Sequence, residues 1–202
     1  MFENDRNFLV RRQDRLRAEA DKLGAELDLT GRLGAIGEPV LVGSAALGVM
    51  VRRDLDFTVT CQALDHATQV AVARLGAELA VAEPVREVRL RDDTGHWNVD
   101  PMYPDGLYLG VACRASDGQD WTLDLWFVDE PDRQPDLEHL RTLAPRLDDR
   151  SRALILGIKT ELAARPDPPT GRIPSYQVYR AVLDHGIGDI AEFDAWHHQQ
   201  QI

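Results

Sequence analysis

The segment Asp-Leu-Asp-Phe at residues 54–57 places two carboxylates in a stretch that otherwise alternates like a β-strand. Alternation puts Asp54 and Asp56 on one face of that strand and Leu55 with Phe57 on the other. Two carboxylates this close repel each other, and both stay ionised at low cost when a cation lies between them. Oxygen ligands in this arrangement suit Mg²⁺. The pair therefore indicates either a magnesium site or the solvated polar face of an edge strand.

A Gly-Ser pair precedes these aspartates and favours the metal site. Gly43 and Ser44 follow the apolar segment Glu-Pro-Val-Leu-Val, which is typical of a short buried strand, and lead into a segment that is typical of a turn of helix. At such a junction, backbone N–H groups and the Ser44 hydroxyl can hold a phosphate. A glycine that only permits a tight turn is the alternative. The order of strand, Gly-Ser, short helix and Asp-apolar-Asp strand is more specific than either half alone.

A third carboxylate lies in a later apolar and aromatic segment, residues 120–129. Asp124 stands there between two leucines, where burial of a charge is unfavourable unless the charge faces a metal. Asp100 and Asp129 are the alternatives, and Asp129 lies nearer the end of the strand, where water reaches it more easily. We therefore predict Asp124 as the third member of the site.

The combined pattern resembles the nucleotidyltransferase superfamily that includes DNA polymerase β, the antibiotic-modifying nucleotidyltransferases and the minimal bacterial nucleotidyltransferases. Val42, Gly43 and Ser44, followed ten positions after Ser44 by Asp54, Leu55, Asp56 and Phe57, match the pattern of that superfamily position by position. The match centres on residues 41–59 and extends with less force to Asp124. It covers nothing of the C-terminal third of the chain.

This resemblance implies that Asp54 and Asp56 hold two Mg²⁺ ions that bridge the phosphates of a nucleoside triphosphate. Asp124 would hold one of the ions and act as general base for the acceptor hydroxyl. Attack on the α-phosphate would transfer a nucleoside monophosphate and release pyrophosphate. Gly43 and Ser44 would bind the triphosphate.

The resemblance also implies a basic residue that meets the triphosphate from a helix after the third carboxylate. Lys159, within the apolar helix Ala-Leu-Ile-Leu-Gly-Ile-Lys, is the candidate, and a snorkelling lysine beside the core is an equal alternative. Arg52 and Arg53 adjoin the metal strand but fit a solvated loop as well, so they rank below Lys159.

Periodicity in the rest of the chain predicts the elements that position these residues. Helical spacing covers residues 5–27 and 63–82, and strands are predicted at 86–93, 107–115 and 120–129, the last two as a hairpin with Asp-Gly at its tip. From about residue 135 onward the pattern is helical. The sequence therefore predicts an α+β protein whose mixed β-sheet is flanked by helices, with a core domain over 1–145 and a C-terminal helical segment over 146–202.

Composition limits the compartment and the partners. The 202 residues are 44% hydrophobic, enough for a sizeable core, and 34 Asp and Glu outnumber 23 Lys and Arg, for a net charge of −11. This charge argues against a long nucleic acid and favours a cationic or neutral partner. Cys61 and Cys113 have no metal-binding spacing, and neither a signal peptide nor a membrane-spanning run is visible, so a cytoplasmic protein without a membrane partner is expected.

The leading hypothesis is therefore a Mg²⁺-dependent nucleotidyltransferase that modifies a hydroxyl of a small molecule, such as an antibiotic. A toxin-type nucleotidyltransferase that modifies RNA or a partner protein is the first alternative. A non-catalytic binding module of the same fold is the second, and the presence of all three carboxylates argues against it. The sequence leaves the acceptor, the preferred base and the oligomeric state open.

Overall fold

Residues 3–166 and 172–200, which a computed structural model describes, fold around a five-stranded mixed sheet. Its strands are β1 (Glu38–Val42), β2 (Asp54–Thr60), β3 (Val85–Asp93), β4 (Gly106–Arg114) and β5 (Asp120–Val128). They lie side by side in the order β1-β2-β5-β4-β3. β2 and β5 pair in parallel and the other neighbours are antiparallel. The predicted hairpin is confirmed as β4 and β5.

Helices cover the sheet and form most of the C-terminal third. They are α1 (Glu3–Glu26), α2 (Leu29–Gly34), α3 (Gly43–Leu47), α4 (His66–Ala80), α5 (Pro135–Leu143), α6 (Asp149–Ala164), α7 (Ser175–His185) and α8 (Ile190–Gln199). The predicted α+β class is confirmed. Within the described ranges, no helix is both long and apolar enough to cross a bilayer.

The ends of the C-terminal helices follow the capping chemistry of the sequence. The Asp148 carboxylate accepts a hydrogen bond from Ser151 N at 2.7 Å and so starts α6. The Asp189 carboxylate accepts a hydrogen bond from Glu192 N at 2.9 Å and so starts α8. The Glu192 carboxylate accepts a hydrogen bond from the backbone N–H of Gly188, the residue before this cap. α7 begins directly after Pro174.

Sequence periodicity did not predict the short helix α2. The chain leaves α1 at Glu26, and residues 29–34, which contain two glycines, then form this separate helix. Leu29 and Leu33, one turn apart, are 1% and 0% exposed, so their burial outweighs the poor helix propensity of the glycines. The turn into α2 is made by Asp28 in the left-handed region, at φ 48°.

Two hydrophobic clusters hold these layers together. The first lies between the sheet and helices α1, α2 and α4 and includes the fully buried Leu23, Leu109 and Leu125.

The second hydrophobic cluster joins the C-terminal helices to the segment after α3, where Val49 is fully buried. It contains both Leu143 and Leu147, so it spans the predicted division at residues 145/146, and that division stays a prediction. The connection between Gly43 and β2 therefore packs against the C-terminal helices.

Candidate active site

Three carboxylates meet where β2 and β5 run in parallel. Asp56 lies directly opposite Asp124, and Asp54 lies opposite Thr122. One carboxylate oxygen from each of Asp54, Asp56 and Asp124 lies within 4.8 Å of the others. Neighbouring strands are separated by about 4.8 Å, so aligned residues on one face necessarily converge. Among the described residues, these three aspartates form a group that could hold a metal ion.

The two alternative aspartates are engaged elsewhere. Asp129 accepts a hydrogen bond from Leu64 N at 3.3 Å, and Asp100 accepts one from Met102 N at 3.0 Å. Neither belongs to the carboxylate group. The structure therefore brings together the three aspartates that the sequence singled out.

Gly43 lies against this group and begins α3. Its φ of 62° is in the left-handed region, and a Cβ built on it would overlap the Oδ2 atom of Asp56. Both the backbone conformation and the close approach therefore require glycine at this position. Ser44, the next residue, lines the cleft beside Asp54.

Two hydroxyl groups donate hydrogen bonds to Asp54 and Asp124, and the sequence analysis predicted neither contact. The Thr122 hydroxyl donates to Asp54 Oδ1 at 2.6 Å, and the Tyr108 hydroxyl donates to Asp124 Oδ1 in a short hydrogen bond. Thr122 stands two residues before Asp124 and thus on the same face of β5. Tyr108 could have been found from the hairpin, because a turn at Asp117–Gly118 fixes its register opposite Trp126.

Burial and mutual repulsion disfavour ionisation of the aspartates on β2. Burial, together with the charges of Asp54 and Asp124, raises the pKa of Asp56 to about 8. Burial also raises the pKa of Asp54, although the Thr122 hydrogen bond opposes that change. A close set of hard oxygen ligands with this much negative charge fits a divalent cation such as Mg²⁺.

A cleft of about 490 Å³ opens beside Asp54 and carries positive charge on its walls. Lys159 lines it, with its ammonium donating to the Val49 carbonyl at 2.9 Å and to the Tyr179 hydroxyl at 3.2 Å. Lys159 is 7% exposed, so it does not snorkel to the surface. Burial lowers the pKa of Lys159 to about 8, against the opposing influence of Asp56 and Asp54.

The two arginines before β2 differ in position. Arg52 lines the cleft together with Lys159 and Arg172. Arg53 forms an ion pair with Glu19 of α1, with 3.0 Å between Nη2 and Oε2. Arg53 therefore ties the start of β2 to α1 and does not line the cleft.

A fourth carboxylate lies near the three aspartates. Asp136, in the first turn of α5, accepts a hydrogen bond from Gln134 Nε2 at 3.3 Å. Burial raises the pKa of Asp136, with a smaller contribution from the charge of Asp124. This side of the site therefore carries a further, partly buried carboxyl group.

The sheet surface next to Asp124 combines aromatic rings with arginines. The rings of Tyr108 and Trp126 lie 5.0 Å apart between centroids. The Arg91 guanidinium lies 4.8 Å from the Tyr108 ring centroid and 5.5 Å from that of Trp126. Burial raises the pKa of the Tyr108 hydroxyl, and the positive charge of Arg89, which lies on the same face of β3 as Arg91, opposes that change. This patch, comprising Arg89, Arg91, Tyr108 and Trp126, is called the aromatic–arginine surface below.

Comparisons with known proteins identify the fold. No family model matches the chain, and no curated protein matches its sequence. Among solved structures, a mutant of the Cid1 poly(U) polymerase bound to MgATP matches with a TM-score of 0.60 and 18% identity, over 93% of this chain and 57% of that chain. A cytoplasmic RNA terminal U-transferase matches with a TM-score of 0.56 and 17% identity, over 90% of this chain and 54% of that chain. Cid1 with its short product ApU matches with a TM-score of 0.53 and 18% identity, over 91% of this chain and 49% of that chain.

The present chain spans about half the length of these solved chains. The similarity extends over about nine-tenths of the present chain. The nucleotidyltransferase-type fold that the sequence implied is confirmed.

Proposed function

We propose that this protein is a metal-dependent nucleotidyltransferase that moves a nucleoside monophosphate from a nucleoside triphosphate to an acceptor hydroxyl and releases pyrophosphate. The observation that carries this proposal is the convergence of Asp54, Asp56 and Asp124 within 4.8 Å, beside the Gly43 turn, on a nucleotidyltransferase fold. The solved neighbours with MgATP and with a UTP analogue support it. A non-catalytic module would gain nothing from three mutually repelling carboxylates.

The aspartates and the Gly-Ser turn have separate roles in this proposal. Divalent ions, two by the superfamily resemblance, would neutralise the triphosphate and activate the attacking oxygen when bound. Asp124 accepts the proton of the acceptor hydroxyl, because it lies on the β4 side of the group, away from the cleft. Gly43 and Ser44 contact the phosphates at the cleft edge.

Lys159 is proposed to contact the triphosphate from the cleft wall. An ammonium has three donors, and the described contacts of Lys159 use two of them. The third is available for a phosphate oxygen. A lysine that is already fixed by Val49 and Tyr179 loses little entropy when it binds.

For the acceptor, we place the end of an RNA chain ahead of a small molecule. One solved neighbour is an RNA terminal U-transferase, and another, Cid1, was solved with its short product ApU. The aromatic–arginine surface adjoins Asp124 and offers both stacking and positive charge, the two features with which single strands are bound. A net charge of −11 does not prevent this, because affinity for phosphates depends on the local arrangement of basic residues.

The small-molecule acceptor expected from the sequence remains the second candidate. Asp136 adds a fourth carboxylate beside Asp124, which would attract a cationic acceptor and repel a phosphate. An aminoglycoside-like polycation with free hydroxyl groups has the matching chemistry.

The test supplies each of the four labelled nucleoside triphosphates with Mg²⁺ and follows pyrophosphate release. Acceptors are an RNA oligonucleotide, the same oligonucleotide with a 3′-deoxy end, and an aminoglycoside. Transfer that needs the RNA 3′-hydroxyl supports the first candidate, and transfer to the aminoglycoside supports the second. A protein carrying Asp54→Asn and Asp56→Asn serves as the control. Activity that persists in this control, or that is unaffected by EDTA, contradicts the metal-dependent mechanism.

A further inference from the structure

We infer that two hydroxyl groups, those of Tyr108 and Thr122, are positioning residues that hold Asp124 and Asp54 in the geometry that binds the cation. This inference rests on the proposed function and assigns to the present chain two residues outside the superfamily pattern. Each hydroxyl donates to one oxygen of its carboxylate, Asp124 Oδ1 and Asp54 Oδ1 respectively. The second oxygen of each carboxylate is left for the metal.

Tyr108 reaches Asp124 only because the residue between them has no side chain. Gly110 lies directly opposite Asp124 in the hairpin, and the Tyr108 side chain crosses it. A Cβ on Gly110 would lie 2.6 Å from the Tyr108 hydroxyl oxygen and 3.0 Å from two of its ring carbons. Such distances are closer than a real Cβ tolerates, so Gly110 keeps the path of the phenol open.

The phenol is held in place from two other sides. Trp126 packs against the Tyr108 ring at 5.0 Å between centroids, and Arg91 lies over the ring at 4.8 Å. Arg91 is itself fixed by an ion pair with Asp93, with 2.7 Å between Nη2 and Oδ2. A donor held this firmly orients its acceptor at little entropic cost, as outer-shell groups do in metal sites.

Thr122 acts on Asp54 by a shorter route. The two residues lie directly opposite each other in the parallel pair β2 and β5, and their side chains are joined at 2.6 Å. Asp56, the central carboxylate, is confined instead by Gly43, which leaves no room for a side chain beside Asp56 Oδ2. Each of the three carboxylates is thus restrained by a different neighbour.

The test removes each hydroxyl while its side-chain shape remains, in Tyr108→Phe and Thr122→Val. Binding of Mn²⁺ in the presence of a non-hydrolysable nucleoside triphosphate is followed by electron paramagnetic resonance, beside steady-state kinetics. We expect Mn²⁺ affinity and kcat each to fall about 10- to 100-fold, the usual loss for an outer-shell partner, with KM for the nucleotide changed less. The control Thr142→Val, whose hydroxyl donates to the Glu138 carbonyl within α5, should behave as the wild type.

Gly110→Ala provides an independent variant that keeps both hydroxyls but displaces Tyr108. It should lower Mn²⁺ affinity about as much as Tyr108→Phe, and adding it to Tyr108→Phe should cost much less than the two separate losses combined. Full additivity of the two losses contradicts a shared route through Asp124.

The outcomes separate this inference from the proposed function. If the Asp54→Asn, Asp56→Asn protein loses Mn²⁺ binding while Tyr108→Phe and Thr122→Val bind Mn²⁺ as the wild type does, the positioning roles are wrong and the metal site stands. If Mn²⁺ binding persists unchanged in the double aspartate variant, the proposed function itself fails.

Discussion

At the scale of single residues, the site concentrates negative charge in a half-buried position. Asp56 lies between Asp54 and Asp124, and burial with their charges raises its pKa to about 8. Without a cation the folded protein therefore keeps a proton on Asp56 through neutral pH, whereas the unfolded chain releases it near the ordinary value of 3.8. Proton and metal then compete for the same oxygen atoms, and metal binding should release protons.

Asp56→Asn should change the pH dependence of stability. A group whose folded pKa is raised binds more protons in the folded state, so its contribution to stability falls as pH rises from about 4 to about 8. The asparagine variant lacks this loss, so its stability should exceed that of the wild type by more and more as pH rises from about 4 to about 8. Its Tm should be higher by about 2–4 °C for each kcal/mol by which its free energy of unfolding exceeds that of the wild type. Melting curves in EDTA across this range measure the effect. Parallel Tm–pH curves for the two proteins would disprove it.

Asp124→Asn should separate catalysis from stability. The amide keeps an oxygen that can accept the Tyr108 hydrogen bond, and it removes a charge that repels the other aspartates, so Tm in the absence of metal should be equal or higher. Nucleotidyl transfer should fall by about 10² or more, because the general base and a metal ligand are both lost. Asp129→Asn is the matched control, since Asp129 bonds Leu64 N outside the site. An active Asp124→Asn protein excludes the proposed mechanism.

At the scale of elements, the site depends on how β2 pairs with β5 and on the turn that follows β1. The parallel pairing of β2 with β5 aligns the carboxylates, and the turn at Gly43 brings α3 against Asp56. α3 is short and also ends at a glycine, Gly48, in the left-handed region. The two glycines share a backbone conformation but differ in what surrounds them, so they form a natural pair for comparison.

Gly43→Ala should be far more damaging than Gly48→Ala. Both changes place an alanine at positive φ, at 62° and 69°, which costs about 1–2 kcal/mol. Only at Gly43 does the new methyl group also overlap a carboxylate, whereas at Gly48 its nearest neighbour is Arg152 Nε at 3.6 Å. We expect Gly48→Ala to fold with near-normal activity and Gly43→Ala to lose Mn²⁺ binding and activity. Thermal melts with transfer assays decide this, and equal behaviour of the two variants would refute it.

At the scale of the whole molecule, the C-terminal helices complete both the core and the cleft. α6 supplies Lys159 to the cleft wall, and α7 supplies Val178 to the same wall and Tyr179 to Lys159. The second hydrophobic cluster joins these helices to Leu9, Leu47 and Val49 in the N-terminal part. The two halves of the chain therefore share buried surface beside the site.

A fragment of residues 1–145 should not fold stably alone. Loss of α6–α8 would expose Leu9, Leu47 and Val49, and each such side chain contributes about 1.5–3 kcal/mol when buried. That sum is a large part of the net stability of a typical domain. Circular dichroism of the fragment should show no cooperative melt near that of the full chain. A cooperative melt at a similar temperature would instead support the division at residues 145/146 as a true domain boundary.

The sequence by itself determined the class of fold, the carboxylates and the Gly-Ser turn. Strand alternation, the Asp148 and Asp189 caps and the Asp-Gly hairpin depend on neighbours within a few residues, which a sequence displays directly. Only the tertiary structure decided the parallel pairing of β2 with β5, the Thr122 contact that depends on it, and the helix at residues 29–34. Contacts between strands more than sixty residues apart are set by packing of the whole core, and local propensity carries no record of that packing.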